Sequence, residues 1–383
     1  MQATWFDYYH DGTQDLFVVH DGFAESRLHR NYGFLPLIDQ ARATSFHDIG
    51  SGNSMGIAWG DVNGDGWEDV YITRIGEAGL YINLAGDGFL QIEDALGAWR
   101  NGMAWGTVFS DFDNDLDPDL FVVNTSGYDG TETLLYENRN GWFVDQSRTA
   151  EASFYVETQG LASWDFDLDG HMDLVFPGHD GPVRVLRGIP DNPGNWIKVS
   201  LKGTTANREA IGARVEARVG DRVVTGYVSG GDSFCSQSEP VVHLGLGDAT
   251  RVDQLVVHWG GSAIETFGAL SSGNHVLVQG AGAPAGTSSE PTPEIVQETP
   301  QLSAFPNPVT ADTRLRVSLP RAAQVRISVF DIRGREVALV TEKVLAAGTS
   351  TVALPTDLLR SGIYFVRMET RTGVVTTAVA QLH

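Results

Sequence analysis

The stretch GDVNGDGWEDVYIT, residues 60–73, decides the fold because the chain repeats it. Its echoes are FDYYHDGTQDLFVVHDG from Phe6, SDFDNDLDPDLFVVN from Ser110 and WDFDLDGHMDLVFPG from Trp164. The first aspartates are Asp7, Asp61, Asp111 and Asp165. They recur at intervals of about 50 residues, the length of a repeat unit. Upstream of the later copies lie MGIAWG from Met55, GMAWGTVFS from Gly102 and GLASW from Gly160. Downstream comes a second echo: LHRNYGF from Leu28, LYINLAGDGF from Leu80 and LLYENRNGWF from Leu134. Each period holds four apolar runs too short for helices, rich in Val, Ile, Phe, Tyr and Leu. Four strands per ~50 residues is the unit of a β-propeller blade, and blades must stack to bury both faces. A generic β-sandwich with acidic turns is the simpler alternative, and matched features at matched intervals weigh against it.

Numbered from the first Asp, the pattern is Asp at 1, Asp or Asn at 3, Asp at 5, usually Gly at 6 and Asp at 9. The second repeat has Asp61, Asn63, Asp65, Gly66 and Asp69; the fourth has Asp165, Asp167, Asp169, Gly170 and Asp173. The third has Asp111, Asp113, Asp115 and Asp119, with Leu116 in place of Gly. The first has Asp7, Asp11, Gly12 and Asp15, with Tyr9 at position 3. Carboxylates at 1, 3 and 5 of a tight loop can converge on one point. A backbone carbonyl at position 7 (Trp67, Asp117 or His171) and the Asp at 9 would complete an all-oxygen shell of the kind Ca²⁺ takes. An EF-hand would need Glu at position 12. This chain has Val18, Ile72, Val122 and Phe176 there. The expectation is therefore a strand–loop–strand calcium site. Asx-turns without metal are the alternative, strongest for the first loop. Zinc does not suit a set without His or Cys, and Mg²⁺ suits sites that keep several waters.

The charge follows the repeats. The chain has 383 residues and a net charge of −23; residues 1–200 carry 32 Asp+Glu against 10 Lys+Arg, and residues 201–383 carry 17 against 16. That excludes the basic footprint of a nucleic-acid binder. The single cysteine, Cys235, excludes an internal disulfide and a Cys-based zinc site. There is no transmembrane segment, since no apolar run reaches the roughly 18 residues of a membrane helix. The start, MQATWFDYYHDG, has no basic n-region and no apolar h-region, so no signal peptide is expected there.

Residues 1–190 resemble the FG-GAP/VCBS repeats of integrin-α-like β-propellers, through the DxDxDGxxD loops quoted above. That family usually closes about seven blades, and four motifs are present here, the first with almost no strand ahead of it. The chain therefore reads as the C-terminal part of a longer, partial propeller that lacks its leader and early blades, with a closed four-bladed ring as runner-up. An open arc would leave end faces carrying Trp5, Phe6, Val175 and Phe176.

Residues 195–278 form a second β module. Ala213–Val219, Arg222–Val228 and Gln254–Trp259 read as strands. The module resembles the ASPIC/UnbV domain through Asn207, Ile211-Gly212-Ala213, Ser236-Gln237, His243-Leu244-Gly245-Leu246-Gly247 and Trp259. A Cys235–His243–Asp248 triad is one reading, against which His243 reads as a strand residue; the other is that the Gly230–Gln237 loop contacts a ligand. Residues 279–301 are a Pro/Gly/Ser-rich linker. Residues 302–383 read as an Ig-like β-sandwich of six or seven short strands. Phe305-Pro306-Asn307-Pro308, the ISVFDIRGREV stretch from Ile327 and SGIYFVRM from Ser361 resemble the type IX secretion C-terminal sorting domain. The resemblance implies the type IX machinery as a partner and a secreted or outer-surface location on a Gram-negative bacterium.

The fold class expected is all-β: blades followed by two small sandwich-like domains. The function expected is a secreted or surface calcium-binding β-propeller for adhesion or for binding a glycan or protein ligand, not an enzyme. A polysaccharide-acting enzyme and a structural spacer are the alternatives. His10, His20, His29, His47, His171 and His179 are scattered among loops without ligand or triad spacing.

Overall fold

The computed structural model describes residues 2–22, 25–46, 53–91, 101–125, 132–178, 182–191, 193–261, 263–284, 300–305, 309, 313–331, 335–359, 362–370 and 374–381. His47, His179, Pro306-Asn307-Pro308, the Arg333-Gly334 turn, Ser361 and most of the linker lie outside them. The described chain is all-β apart from one 3₁₀ turn at Thr356–Leu358, and no helix is long and apolar enough to cross a membrane. It divides into two compact units, Met1–Gly286 and Thr287–His383.

In the first unit the acidic repeats become antiparallel blades. Blade one is β1 (Gln2–Phe6), β2 (Asp15–Val19), β3 (Arg27–Arg30) and β4 (Ile38–Asp39). Blade two is β5 (Ser54–Gly60), β6 (Asp69–Glu77), β7 (Gly79–Asn83) and β8 (Phe89–Gln91). Blade three is β9 (Asn101–Ser110), β10 (Asp119–Asn124), β11 (Leu134–Asn138) and β12 (Phe143–Asp145). Blade four has three strands, β13 (Ala162–Trp164), β14 (Asp173–Phe176) and β15 (Arg184–Leu186). A strand does precede the first motif, contrary to expectation. Each acidic loop joins a blade's first strand to its second: the registers Phe6↔Asp15, Gly60↔Asp69, Ser110↔Asp119 and Trp164↔Asp173 close the four hairpins. The position-12 residues sit within or beside the second strand, which excludes an EF-hand helix there.

The inner strands are buried on both faces, successive apolar residues turning to opposite sides, and neighbouring blades bury them in shared cores. Phe17, Trp59, Val70 and Ile72 lie between blades one and two, Leu80, Leu120 and Tyr136 between two and three, and Phe121, Leu161 and Phe176 between three and four. β6 also pairs with β9 at Ile75↔Met103, making blades two and three one continuous sheet. Two residues expected on open end faces, Phe6 and Phe176, are buried, while Trp5 is exposed and Val175 is half-buried. Phe6 is sandwiched between Trp59 (ring centroids 4.6 Å apart, nearly parallel) and Tyr227 (5.1 Å, edge-on). The second of these rings comes from the module that follows the blades.

That module has β16 (Asn195–Lys202), β17 (Arg214–Val219), β18 (Arg222–Tyr227), β19 (Val242–Gly247), β20 (Arg251–Val252), β21 (Gln254–Trp259), β22 (Ala263–Phe267), β23 (Leu270–Ser271), β24 (Gly273–Val278) and β25 (Ala283–Pro284). Its main sheets, β19-β16-β24 and β18-β17-β21-β22-β25, face each other across Val199, Val215, Leu255 and Trp259. The second unit comprises β26 (Gln301–Phe305), β27 (Arg314–Leu319), β28 (Ala323–Asp331), β29 (Glu336–Leu345), β30 (Gly348–Ala353), β31 (Gly362–Glu369) and β32 (Val374–Gln381). Sheets β26-β27-β30 and β29-β28-β31-β32 enclose Leu315, Val317, Ile327, Val366 and Met368. This is the sandwich expected from the alternation in the sequence.

Candidate functional site

In the first three loops the backbone curls around the first aspartate. Asp61 accepts N–H bonds from Asp65 (3.0 Å) and Gly66 (2.8 Å), Asp111 from Asp115 and Leu116 (both 2.9 Å), and Asp7 from Asp11 and Gly12. Position 5 accepts from position 7 in the same way, Asp65 from Trp67 and Asp115 from Asp117. The residue at position 6 has positive φ in these loops, and Leu116 takes φ 82°. That is a strained conformation for a side chain with a Cβ, and it is the consequence of having no glycine there. In the third loop the Asp111, Asp113 and Asp115 oxygens lie within 4.8 Å of one another; in the fourth, those of Asp165, Asp167 and Asp173 do. These all-oxygen sets fit a hard divalent cation.

The position-9 aspartate has a further task. Asp15, Asp69, Asp119 and Asp173 each accept one N–H from position 2 of their own loop (Tyr8, Val62, Phe112 and Phe166). Each also accepts a second N–H from just beyond or at the end of the third strand, from Asn31, Asn83, Asn138 or Gly188, at 2.8–2.9 Å. This residue pins the loop to the blade whatever else it binds. The asparagine of the downstream echo completes the clamp. Asn83 donates to the Glu68 carbonyl, and Asn138 donates to those of Pro118 and Val62, the latter in the neighbouring blade's loop. The downstream echo was legible in the sequence; the role of its asparagine was not.

Burial and mutual repulsion set the acidity of these groups. Burial, then Asp65, holds Asp61 at about 7; burial, then Asp113, holds Asp115 at about 6. Burial raises Asp15 to about 7 and lifts Asp69, Asp111 and Asp119 well above the carboxylate range; Asp7, Asp65, Asp113 and Asp173 rise less, for the same cause. Asp11 and Asp169 go down: partial desolvation is outweighed by bonds from Thr13 and Arg30 in one, and from His171 and Arg187 in the other. Carboxyls pushed up by burial are the ones a cation would return to the ionised form.

The structure brings to these loops something the sequence reading kept apart: the module after the blades covers all four. Gln14 donates to the Gly212 carbonyl, and Gly261 donates to that of Gly12. Thr225 donates to Asp61 at 3.3 Å, and Arg222 is paired with Asp117. On the third loop, Asn114 is fully buried at φ 63° and bonds His243 Nε2 at 2.8 Å, while its carbonyl accepts the Gly247 N–H. A Cβ on Gly245 would lie 2.0 Å from Asp111 Oδ2. The HLGLG signature is thus the strand that lies against the third acidic loop. Burial, then Lys198, lowers the His243 imidazole to about 3, so it is neutral there. Cys235 is exposed, and His243's partners are Asn114 and Trp196.

The loop at Gly230–Gln237, a candidate for ligand contact, runs with Ser238 across the first strands of the blades. Gly231 accepts from Thr4, Ser233 donates to Ile57 and accepts from Thr107, Ser236 accepts from Leu161, and Ser238 accepts from Ser163. A cavity of about 160 Å³ remains along this seam, lined by Trp59, Glu68, Tyr227, Asp232 and Glu239 among others. Small-molecule pockets are commonly ~300–1,000 Å³, so a ligand of that size needs another surface.

Comparison with known proteins agrees with this layout. FG-GAP-like repeat models match residues 7–72, 61–122 and 111–176, an ASPIC and UnbV model matches 203–285, and a secretion system C-terminal sorting domain model matches 303–380. Cartilage acidic protein 1 of Mus musculus is 27% identical over 237 residues, 57% of this chain and 36% of the relative; that of Homo sapiens is 27% identical over the same length, 57% of this chain and 35% of the relative. The chain thus spans about a third of the curated relatives it matches. Among solved structures, an Agrocybe aegerita lectin described as recognising non-reducing terminal N-acetylglucosamine aligns with TM-score 0.33 and 19% identity over 50% of each chain. PorZ, a surface component of the type-IX secretion system of Porphyromonas gingivalis, aligns with TM-score 0.28 and 11% identity over 98% of this chain and 59% of its own. The sorting domain marks a secreted or outer-surface protein. This chain is accordingly an extracellular protein of FG-GAP-like repeats, followed by an ASPIC and UnbV domain and a type IX secretion C-terminal sorting domain.

Proposed function

We propose that the blades and the covering module form a calcium-stabilised, non-catalytic binding scaffold, displayed or released outside a Gram-negative cell, which engages a glycan or protein ligand. The observation that carries the calcium reading is the convergence of Asp111, Asp113 and Asp115, partly or fully buried carboxylates with no ion pair to a protein cation among the described residues. A divalent ion offsets the desolvation and mutual repulsion of these carboxylates, and extracellular calcium near millimolar suits sites of the ~10⁻⁴–10⁻³ M class. For the ligand, the support is an exposed aromatic group on blade one: Tyr32 and Phe34 stack at 6.1 Å, with the Arg30 guanidinium 4.6 Å from the Tyr32 ring centre. Exposed rings beside a cation suit sugar faces and protein hot spots alike.

The test is calorimetric titration of the full chain with Ca²⁺, paired with melting in EGTA. Uptake that Asp113→Ala reduces by one ion, and a higher melting temperature with calcium, are expected; no heat and an unchanged melt refute the calcium reading. Glycan-array binding that is lost in Tyr32→Ala would identify the ligand surface.

A further inference from the structure

The acidic loops differ in what balances their charge. In the third loop, none of Asp111, Asp113 and Asp115 forms a salt bridge with a described Lys, Arg or His; the nearby Arg222 is paired with Asp117 instead. In the fourth loop each of the first three acidic positions has a protein cation. Arg187 holds Asp167 at 2.7 Å and Asp169 at 2.8 Å. Asp165, fully buried, lies 3.5 Å from the ammonium of Lys198, which is itself 4% exposed and 2.7 Å from Glu239.

Lys198 is delivered by β16 of the covering module. Strand alternation puts Trp196 and Lys198 on one face. Trp196 lies against the fourth loop's glycine so closely that a Cβ on Gly170 would be 1.8 Å from the indole. One strand therefore caps the loop at position 6 and reaches position 1 with an ammonium. A buried lysine persists when paired, and it repels any second cation brought beside it.

We propose that Lys198 is the resident cation of the fourth loop: its ammonium neutralises Asp165 in place of a metal ion, so this loop is charge-balanced without calcium and fastens the covering module to the last blade. The calcium side of this rests on the reading of the other loops given above; the fastening does not. The fourth loop keeps the shape of a cation site, because Asp165, Asp167 and Asp173 still converge. Removing the ammonium should therefore turn it into one.

The experiment compares the full chain with Lys198→Met by calcium titration and by melting in EGTA. The variant is expected to take up one calcium more than the parent, or to bind its weakest calcium about tenfold tighter, a coupling within the usual range between competing charges. Adding Asp165→Asn should abolish that gain. In EGTA Lys198→Met should melt below the parent, and calcium should raise its melting temperature by more. Equal stoichiometry and affinity in parent and variant overturn the metal-replacing role while leaving calcium in the other loops intact. If neither protein binds calcium, the calcium reading falls, and an EGTA melt of Lys198→Met no lower than the parent's overturns the fastening as well. Should Lys198→Met fail to fold in EGTA, refolding with calcium supports the proposal and failure to refold overturns it.

Discussion

Asp61 offers a quantitative test of how the loops store their charge. Its carboxyl is 8% exposed and held at about 7, against an ordinary value of 3.8, first by burial and then by the neighbouring Asp65. The folded state therefore keeps a proton that the unfolded chain releases. The sign follows from linkage: below about pH 4 both states are protonated and nothing is lost. As pH rises from 4 to 7 the folded state is progressively destabilised, and above 7 the full penalty stands. With roughly three pH units between the two values at 1.36 kcal/mol each, that penalty is about 4 kcal/mol. Asp61→Asn removes the titrating group. Whatever fixed cost the amide brings by facing the Gly66 N–H, the stability difference between variant and parent should drift in the variant's favour by up to about 4 kcal/mol between pH 4 and pH 7.5 in EGTA. Taking a difference cancels groups that do not interact with Asp61, notably neutral His243, which opposes folding on the acid side; Asp69, which Asp61 helps to raise, drifts in the same direction as Asp61. The assay is urea unfolding of the two proteins across that range, followed by tryptophan fluorescence. Saturating calcium should reverse the trend above pH 6 in the parent, since the ion favours the carboxylate that burial disfavours. A stability difference independent of pH in EGTA would refute the claim that Asp61 is a strained, uncompensated acid.

Three further outcomes follow from the same geometry. Gly245→Ala puts a Cβ 2.0 Å from Asp111 Oδ2. Thermal unfolding should then show a loss of about 1–3 kcal/mol, together with weaker calcium binding at the third loop. Asn138→Ala strips partners from the Val62 and Pro118 carbonyls and the Gly141 N–H. It should cost roughly 2–3 kcal/mol by chemical denaturation, with blades two and three loosening together in hydrogen exchange. Deleting residues 302–383 should leave the Met1–Gly286 unit with an unchanged melt, because its cores share no residue with the last sandwich; in a host with type IX secretion the shortened protein should stay in the periplasm.

Much of this protein is legible in one dimension. The repeats, each a loop with Asp at positions 1, 5 and 9 between apolar runs, specify hairpins because a period-2 strand on either side of a tight turn leaves the backbone few other choices. The alternation from Leu315 to Val317 and from Val325 to Val329 marks the last sandwich in the same way. Position 9 was visible too, though its work as a clamp on the third strand was not, because that bond joins residues 14–19 positions apart through the fold. What only the tertiary structure decided is the fate of the charge and of the blade ends. Tyr227 covers Phe6 from the module beyond the blades, His243 reaches Asn114 across 129 positions, and Lys198 meets Asp165 across 33. No local periodicity encodes such pairings, because they arise where two separately patterned surfaces come together. Whether a buried carboxylate faces a metal, a hydroxyl or a lysine is set by that meeting: desolvation acts on whatever the covering module brings to the loop, and Asp stands at positions 1, 5 and 9 in each case.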